Sequence, residues 1–456
     1  MKRVALINPP APRPLLRDYF CTSVPKTGYY WHPIDLLCLS GRLAAAADLV
    51  VVDAVAEGLD GGQVMARLGN ARLSAAVVLA AAGFDADLEF AAQLKAGKAE
   101  VVVGLGEDML GDPAGALGRH PFLDAVLTDF VGDALVRWLD GERAPVPGIV
   151  FLVGGGIRDA KEPARGMFVA PPAEHTRFPL DAYRLPFAVP HPWVSILSSF
   201  GCPFRCAYCN SGSFGYRLRD PANLAEELDV VSALGIRHVF VRDMTFAADR
   251  AHGEEICRVF EGRGLSWNCY CRIDRVDMDL LRRMAAAGCV MIHFGVESAA
   301  SDLRTVFLRG AGVERAEEAF AWSREAGIAA GAHFILGLPG ETEEDVEKTI
   351  GFARRLKPDY ASFNIFTPRA GSKLARDLEK EGRVVDPAGA PRDCSFGQYR
   401  VAGGIPPGRF EKLRRRAVVS FYADPRYILR QARKVRSLSQ LAHLACSGLQ
   451  VLRGEG

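Results

Sequence analysis

The chain has no apolar run of the roughly 18–20 residues that a membrane-spanning helix needs, so no transmembrane segment is expected. It has no excess of either charge: 56 Lys and Arg against 54 Asp and Glu leave a net charge of +2. That balance gives no general attraction to nucleic acid, and none is expected as a partner. The opening Met1-Lys-Arg before Val4-Ala-Leu-Ile-Asn8 is too short in apolar residues for a secretory leader and reads as a strand. The cysteines form no framework either. Eleven is an odd count with irregular spacing, the pattern of reduced thiols and metal ligands in a cytoplasm rather than of disulfides. What is plentiful is apolar residue, 49 % of the 456, enough for sizeable cores in roughly two to three domains.

Three of the cysteines stand apart. Cys202, Cys206 and Cys209 lie in Ser198-Ser-Phe-Gly-Cys-Pro-Phe-Arg-Cys-Ala-Tyr-Cys-Asn210, spaced C-x3-C-x2-C directly after the apolar run Trp193–Leu197. Three thiolates on one loop can bind a single soft metal centre, one ligand short of the usual four. A zinc loop completed by a distant fourth ligand is the structural alternative. An iron–sulfur cluster held by three thiolates keeps one iron open for a substrate or cofactor.

Residues 1–145 alternate apolar runs (Val4–Ile7, Leu49–Asp53, Ala76–Ala80, Glu100–Gly104, Ala125–Thr128) with helix-like stretches such as Leu36–Ala47 and Gln63–Leu68. This pattern predicts an α/β fold with a parallel, doubly wound, Rossmann-like sheet, whose ligands bind at the carboxyl ends of the strands. Prolines punctuate 146–190, where Gly148–Asp159 reads as a hairpin with a glycine turn inside a surface linker. Alternation returns over 191–385, with candidate strands at 193–198, 237–242, 267–272, 290–296, 331–337 and 360–367. Six βα units after a cysteine loop predict a partial (β/α)6 barrel with its site at the carboxyl ends of the strands. The last region, 386–456, is expected to be helical; residues 405–456 carry eleven Lys or Arg and three Asp or Glu. Ile428, Leu429, Ala432, Val435 and Leu438 fall at rough helical spacing. A helix packed on the barrel is the expectation, a membrane-surface helix the alternative.

The other motifs each close a candidate strand. They are Val239-Phe-Val-Arg-Asp-Met-Thr-Phe246, Ile292-His-Phe-Gly-Val-Glu-Ser298, Phe334-Ile-Leu-Gly-Leu-Pro-Gly-Glu-Thr342 and Phe363-Asn-Ile-Phe-Thr-Pro-Arg-Ala-Gly-Ser372. A carboxylate near a barrel core is costly without a partner, which singles out Glu297. Alternation puts His293 on the same face as Glu297, where a satisfied core histidine is the ordinary reading. Arg272, in Cys269-Tyr-Cys-Arg272, would suit a carboxylate or phosphate. Cys269 and Cys271 alternate to the opposite face and read as buried thiols, as does Cys289.

With the cysteine triplet, these motifs resemble the radical S-adenosylmethionine (radical SAM) superfamily. The resemblance is strong over about 190 residues and loose over the first domain. It implies a [4Fe–4S] cluster on the three cysteines and S-adenosylmethionine as cofactor, cleaved to a 5′-deoxyadenosyl radical. Asp243, Met244 and Thr245 then fall in the methionine-binding segment, although a capped helix start is the plain reading of Asp243. Glu297 falls in the fourth-strand motif that binds ribose or amino group, Gly337 and Pro339 in the adenine-contact motif, and Arg272 at a catalytic position after the third strand. An electron donor such as flavodoxin or ferredoxin is implied as partner.

A doubly wound domain ahead of such a barrel is similar to the cobalamin-binding class, which includes methyltransferases and porphyrin- and hopanoid-type enzymes. On that resemblance Asn8, Asp53, Gly58 and the Gly104/Gly106 turn would meet cobalamin. The D-x-H-x-x-G fingerprint of the class falls on Asp53-Ala-Val-Ala-Glu-Gly58, with Val55 in place of the cobalt-ligating histidine. Either cobalamin binds without a protein histidine or the domain is vestigial. The expected function is cobalamin-dependent C-methylation of a small-molecule or lipid metabolite. The alternatives are a radical rearrangement, ring contraction or oxidative cyclisation, or a non-catalytic iron–sulfur scaffold or sensor.

Overall fold

The structure is a computed structural model. It describes residues 1–433 except 20–22, 26–28, 82, 186, 189, 301–302, 304–311, 368, 370, 386–399 and 402–403. Val435, Leu438 and most of the region 386–456 therefore lie outside the described residues.

Five apolar runs of the first domain become parallel strands: β1 (Arg3–Asn8), β2 (Asp48–Asp53), β3 (Leu73–Leu79), β4 (Ala99–Leu105) and β5 (Ala125–Leu127). Their order is β2-β1-β3-β4-β5, a doubly wound arrangement in which both faces of the sheet are covered. Alternation along β1 shows it. Val4 and Leu6 pack with helix Ile34–Ala46, whereas Ala5 and Ile7 pack with Val64, Phe90 and Leu94 on the other side.

The hairpin at 148–159 does not belong to a surface linker. Its strands, β6 (Ile149–Val153) and β7 (Gly156–Arg158), extend the same sheet, β6 pairing antiparallel with β5. Ile149, Val150 and Phe151 are buried. A run this apolar needs a partner, and β5 would otherwise offer an open edge.

The second sheet has six parallel strands in the order β15-β14-β13-β12-β11-β8. They are β8 (Trp193–Ile196), β11 (His238–Val241), β12 (Ser266–Arg272), β13 (Cys289–Glu297), β14 (Ala329–Leu336) and β15 (Tyr360–Ile365). A short hairpin, β9 (Ser199–Gly201) with β10 (Tyr216–Leu218), follows β8. Val194, Val239, Trp267, Ile292 and Ala330 face the surrounding helices. Rings from five successive strands converge on the other face, which makes it the inside of a partial barrel. Helix Glu343–Leu356 starts at the expected Thr342–Asp345 capping box.

Helix Pro407–Tyr422 buries Leu413, Ala417 and Phe421 on the barrel, and its Arg409 and Arg416 pair with Glu343 and Glu347. The stripe expected at Ile428 and Leu429 is not packed in this way: both lie exposed on the next helix, Pro425–Ala432, which buries no residue.

Candidate functional site

The three cysteines occupy the loop that joins β9 to β10. Two glycines make that loop possible. A Cβ on Gly201 would sit 1.9 Å from the Gly215 carbonyl oxygen, and one on Gly212 2.6 Å from that of Phe204. Cys202, Cys206 and Cys209 are half-buried free thiols. Burial pushes Cys202 up to about 11 and raises Cys206, with Arg272 pulling Cys206 partly back. Metal binding would expel those protons.

The loop is braced on all sides. Arg272 at the end of β12 stands 4.2 Å over the Phe204 ring, and Arg275 stands 4.7 Å over it. Arg272 Nη1 reaches Cys206 Sγ at 3.5 Å, while its Nε and Nη2 hold both oxygens of Asp274 at 2.8 and 2.9 Å. Its fork is thus engaged by Asp274, and its free edge faces the thiol rather than a ligand carboxylate. Ser211 donates its backbone N–H to Cys209 Sγ at 3.4 Å, and its hydroxyl lies 3.2 Å from that sulfur and 3.4 Å from Met244 Sδ.

The loop offers three thiols to one centre. Among the described residues no three His, Cys, Asp or Glu side chains converge on a point that could hold a single metal ion. A [4Fe–4S] core with one open iron takes three thiolates, the number this loop supplies, and among the described residues no fourth ligand completes a zinc site there.

Asp243 neither caps a helix nor presents itself to a ligand. Its Oδ1 accepts the N–H groups of Ser198 and Ser199 at 2.7 and 2.9 Å, and its Oδ2 accepts their hydroxyls at 2.5 and 2.8 Å. The following helix, Arg250–Phe260, is capped by Asp249 instead. Asp243 is therefore the buried anchor of the segment that launches the cysteine loop. Burial raises its pKa, and the four hydrogen bonds pull it back. Thr245 is buried beside it and accepts the Arg272 N–H at 3.1 Å.

Glu297 closes β13 with φ at +68°, after an irregularity in the β13–β14 register between Gly295 and Glu297. A non-glycine residue held there is strained and needs support from its surroundings. Its Oε1 accepts the hydroxyl of Tyr208, inside the cysteine loop, at 3.1 Å. The bulge also breaks the simple alternation between His293 and Glu297.

Gly337, φ +86°, and Pro339 lie in the turn after β14. The Gly337 N–H donates to Glu341 Oε2, as does that of Leu338 at 3.3 Å. The ring closest to Gly337 belongs to Phe410 of helix Pro407–Tyr422, 3.1 Å from where a Cβ would sit. Glu341 was visible in the motif but not singled out. It is buried, and burial pushes its carboxyl up to about 7 despite the two N–H donors.

Because that pKa is raised from 4.5, the stabilising contribution is complete below about pH 4.5 and lost as pH rises through about 7. Glu341→Gln should therefore gain on the wild type as pH rises, by roughly 3 kcal/mol between pH 4.5 and 8. Urea midpoints at the two pH values measure this, and a pH-independent difference would contradict it.

The first-domain candidates form a separate knot at the carboxyl edge of their sheet. Asn8 Nδ2 donates to Asp53 Oδ1 at 2.7 Å, Tyr183 donates to Asp53 Oδ2 at 2.8 Å, and Arg17 donates to Asn8 Oδ1 at 2.9 Å. Asp53 also caps the short helix Ala54–Glu57, on which Val55 sits, and Gly58 ends that helix in the left-handed region. Gly104 makes room for Met109, whose sulfur would lie 2.2 Å from a Cβ there. The close approach at Gly104 is internal packing, not space for a ligand.

Acids of the first domain meet arginines of the second. Asp18 pairs with Arg242 at 2.5 Å, Asp129 with Arg217 at 2.7 Å, and Glu107 with Arg369 of the Phe363–Ser372 motif. Asp18, Glu107 and Asp129 each follow a first-sheet strand, and Arg242 and Arg369 each follow a barrel strand. The carboxyl ends of both sheets therefore face one interface, beside the cysteine loop.

The radical SAM superfamily model matches residues 196–353. An uncharacterized methyltransferase of Pyrococcus horikoshii is 28 % identical over 312 residues, 63 % of this chain and 64 % of that protein. The anaerobic magnesium-protoporphyrin IX monomethyl ester cyclase of Cereibacter sphaeroides is 33 % identical over 195 residues, 41 % of this chain and 32 % of that protein. The chain thus spans between about a third and two thirds of these relatives' lengths. The solved structure of the radical S-adenosylmethionine methyltransferase TsrM from Kitasatospora setae, with cobalamin and a [4Fe–4S] cluster, superposes at TM-score 0.65 and 17 % identity. It covers 84 % of this chain and 78 % of that one. The cobalamin-dependent enzyme OxsB superposes at TM-score 0.67 and 14 % identity, over 98 % of this chain and 70 % of that one. At such identities these two structures establish a shared fold.

Proposed function

We propose that this chain, whose residues 196–353 match the radical SAM superfamily model, is an enzyme that reductively cleaves S-adenosylmethionine and methylates an unactivated carbon of a small-molecule or lipid substrate, with cobalamin as second cofactor. The observation that carries this reading is the meeting of the thiol loop with the carboxyl ends of both sheets. When bound, a [4Fe–4S] cluster supplies the electron that breaks the C–S bond, leaving methionine and a 5′-deoxyadenosyl radical.

The chain's own residues do the rest. Cys202, Cys206 and Cys209 would hold the cluster, and Asp243 fixes the loop that carries them. Arg272 offsets thiolate charge at Cys206 through its free Nη1. Met244 and Thr245 line the edge where methionine would lie, and Glu297 with Tyr208 supplies oxygens for a ribose or amino group. Gly337 and Pro339 shape the turn for adenine. The interdomain ion pairs hold the first domain over the opening and limit water.

Cobalamin fits under one condition. Val55 offers cobalt no nitrogen, and Asp53 is engaged by Asn8, Tyr183 and its helix cap. A cobalamin that takes no ligand from Val55 or Asp53 would match those residues.

Likeness to the cyclase favours a second reading, radical cyclisation or rearrangement without methyl gain. A non-catalytic iron–sulfur sensor would have no use for the motifs beyond the cysteines. An electron donor such as flavodoxin or ferredoxin, a reducing compartment such as the cytoplasm, and no nucleic-acid partner complete the proposal.

The test is anaerobic production with iron, sulfide and hydroxocobalamin. About four irons and about one cobalamin per chain are expected. A cluster without cobalamin would end the cobalt-based reading. With a substrate in hand, a methylated product with S-adenosylhomocysteine separates methyl transfer from cyclisation.

A further inference from the structure

One polar chain inside the barrel has no part in the chemistry above. Asn364 Nδ2 donates to Ser362 Oγ at 3.1 Å, Ser362 Oγ lies 2.8 Å from His333 Nδ1, and His333 Nε2 lies 3.3 Å from His293 Nδ1. Ser362 is buried. Its oxygen already accepts from Asn364, and we assign its own proton to His333 Nδ1. With that assignment His333 Nε2–H donates to His293 Nδ1 and His293 is the Nε2–H tautomer. The chain thus ends in a donor, and among the described residues the buried His293 Nε2 has no partner.

An unmet buried donor is costly, and the fold makes room for this ring. Gly331, mid-strand in β14, would put a Cβ 2.8 Å from His293 Nδ1, and glycine in a strand interior is itself unfavourable. The surroundings are aromatic. Phe187, Tyr270, Phe240 and Tyr360 lie 4.3, 5.5, 5.9 and 6.2 Å from the His293 ring, centroid to centroid. The place is the floor of the site. Tyr270 precedes Arg272 by two residues on β12, and His333 pairs in register with Gly295, two before Glu297.

We propose that His293 Nε2–H is the substrate-recognition donor of the barrel, and that it takes a neutral acceptor, a carbonyl oxygen, on a flat aromatic group held among these rings. The word substrate rests on the radical SAM reading; the donor and its cage do not. A carboxylate is disfavoured. Burial, His333 and Arg242 keep the imidazole neutral, and the nearby Arg242 is paired with Asp18, so a buried anion would lack a counter-charge.

Acetophenone and α-methylstyrene test this, since they share a shape and differ in the carbonyl. Their dissociation constants are measured by ligand-observed NMR on anaerobically reconstituted protein. Wild type should prefer acetophenone by about 5–10-fold, the worth of one neutral hydrogen bond. His293→Leu should bind both alike. Should that variant fail to fold, Ser362→Ala decides, because it leaves every ring in place and should narrow the preference. Equal binding by wild type, binding of neither probe, or a preference unchanged in the deciding variant would overturn the proposal. Iron is assayed on the same samples. Iron-free protein that keeps the preference supports the donor and counts against the radical enzyme; iron-loaded protein without it does the reverse.

Discussion

Cys206→Ala protein, produced anaerobically with iron and sulfide, should carry no cluster absorbance and only background iron, and should remain folded. Cys206 is held beside Arg272, so its loss removes one of three thiolates, and no fourth converges there among the described residues. Two thiolates cannot retain a cluster that already lacks its fourth protein ligand. The thiol is half-buried, and removing so small a side chain costs roughly 1–2 kcal/mol of stability. Iron assay and circular dichroism together check this. A variant that keeps its iron would place the cluster elsewhere.

Asp243→Ala should be damaging in a different way. It strands two backbone N–H groups and two hydroxyls, on Ser198 and Ser199, in a dry interior. The expected loss is roughly 3–5 kcal/mol. The damage should reach the site as well, because the unanchored segment leads straight into Cys202. Iron per folded chain should fall several-fold, although Asp243 touches no iron. Asp243→Asn keeps one accepting oxygen and should fall between. Urea midpoints with iron stoichiometry measure both effects. Normal stability with full iron in the alanine variant would mean that the anchor is dispensable.

What the sequence made legible was local. The C-x3-C-x2-C loop and the strand-end motifs are short, and each falls where a parallel strand stops. The apolar runs of the first sheet are buried on both faces and therefore unmistakable. What escaped depended on distant partners. Asp243 reads as a helix cap until Ser198 and Ser199, 45 and 44 residues away, are seen to engage it. The 148–159 hairpin sits among prolines and looks like a linker, yet β5 needed an edge partner. Arg272 looked free for a substrate anion, but Asp274, two residues on, takes its fork. His293 read as a core histidine because the hydrogen-bonded chain that reaches it crosses three strands. No fingerprint marks a cobalamin that takes no axial ligand from the protein, so Val55 leaves that cofactor to experiment.

The central claim is that the thiol loop of this chain carries a cluster that cleaves S-adenosylmethionine. Its most direct test is the amount of 5′-deoxyadenosine formed after dithionite reduction with S-adenosylmethionine, in wild-type and Cys206→Ala protein reconstituted side by side. The account predicts 5′-deoxyadenosine from wild type and none above background from the variant. Fully cluster-loaded wild type that forms none, or a variant that forms as much, would contradict it.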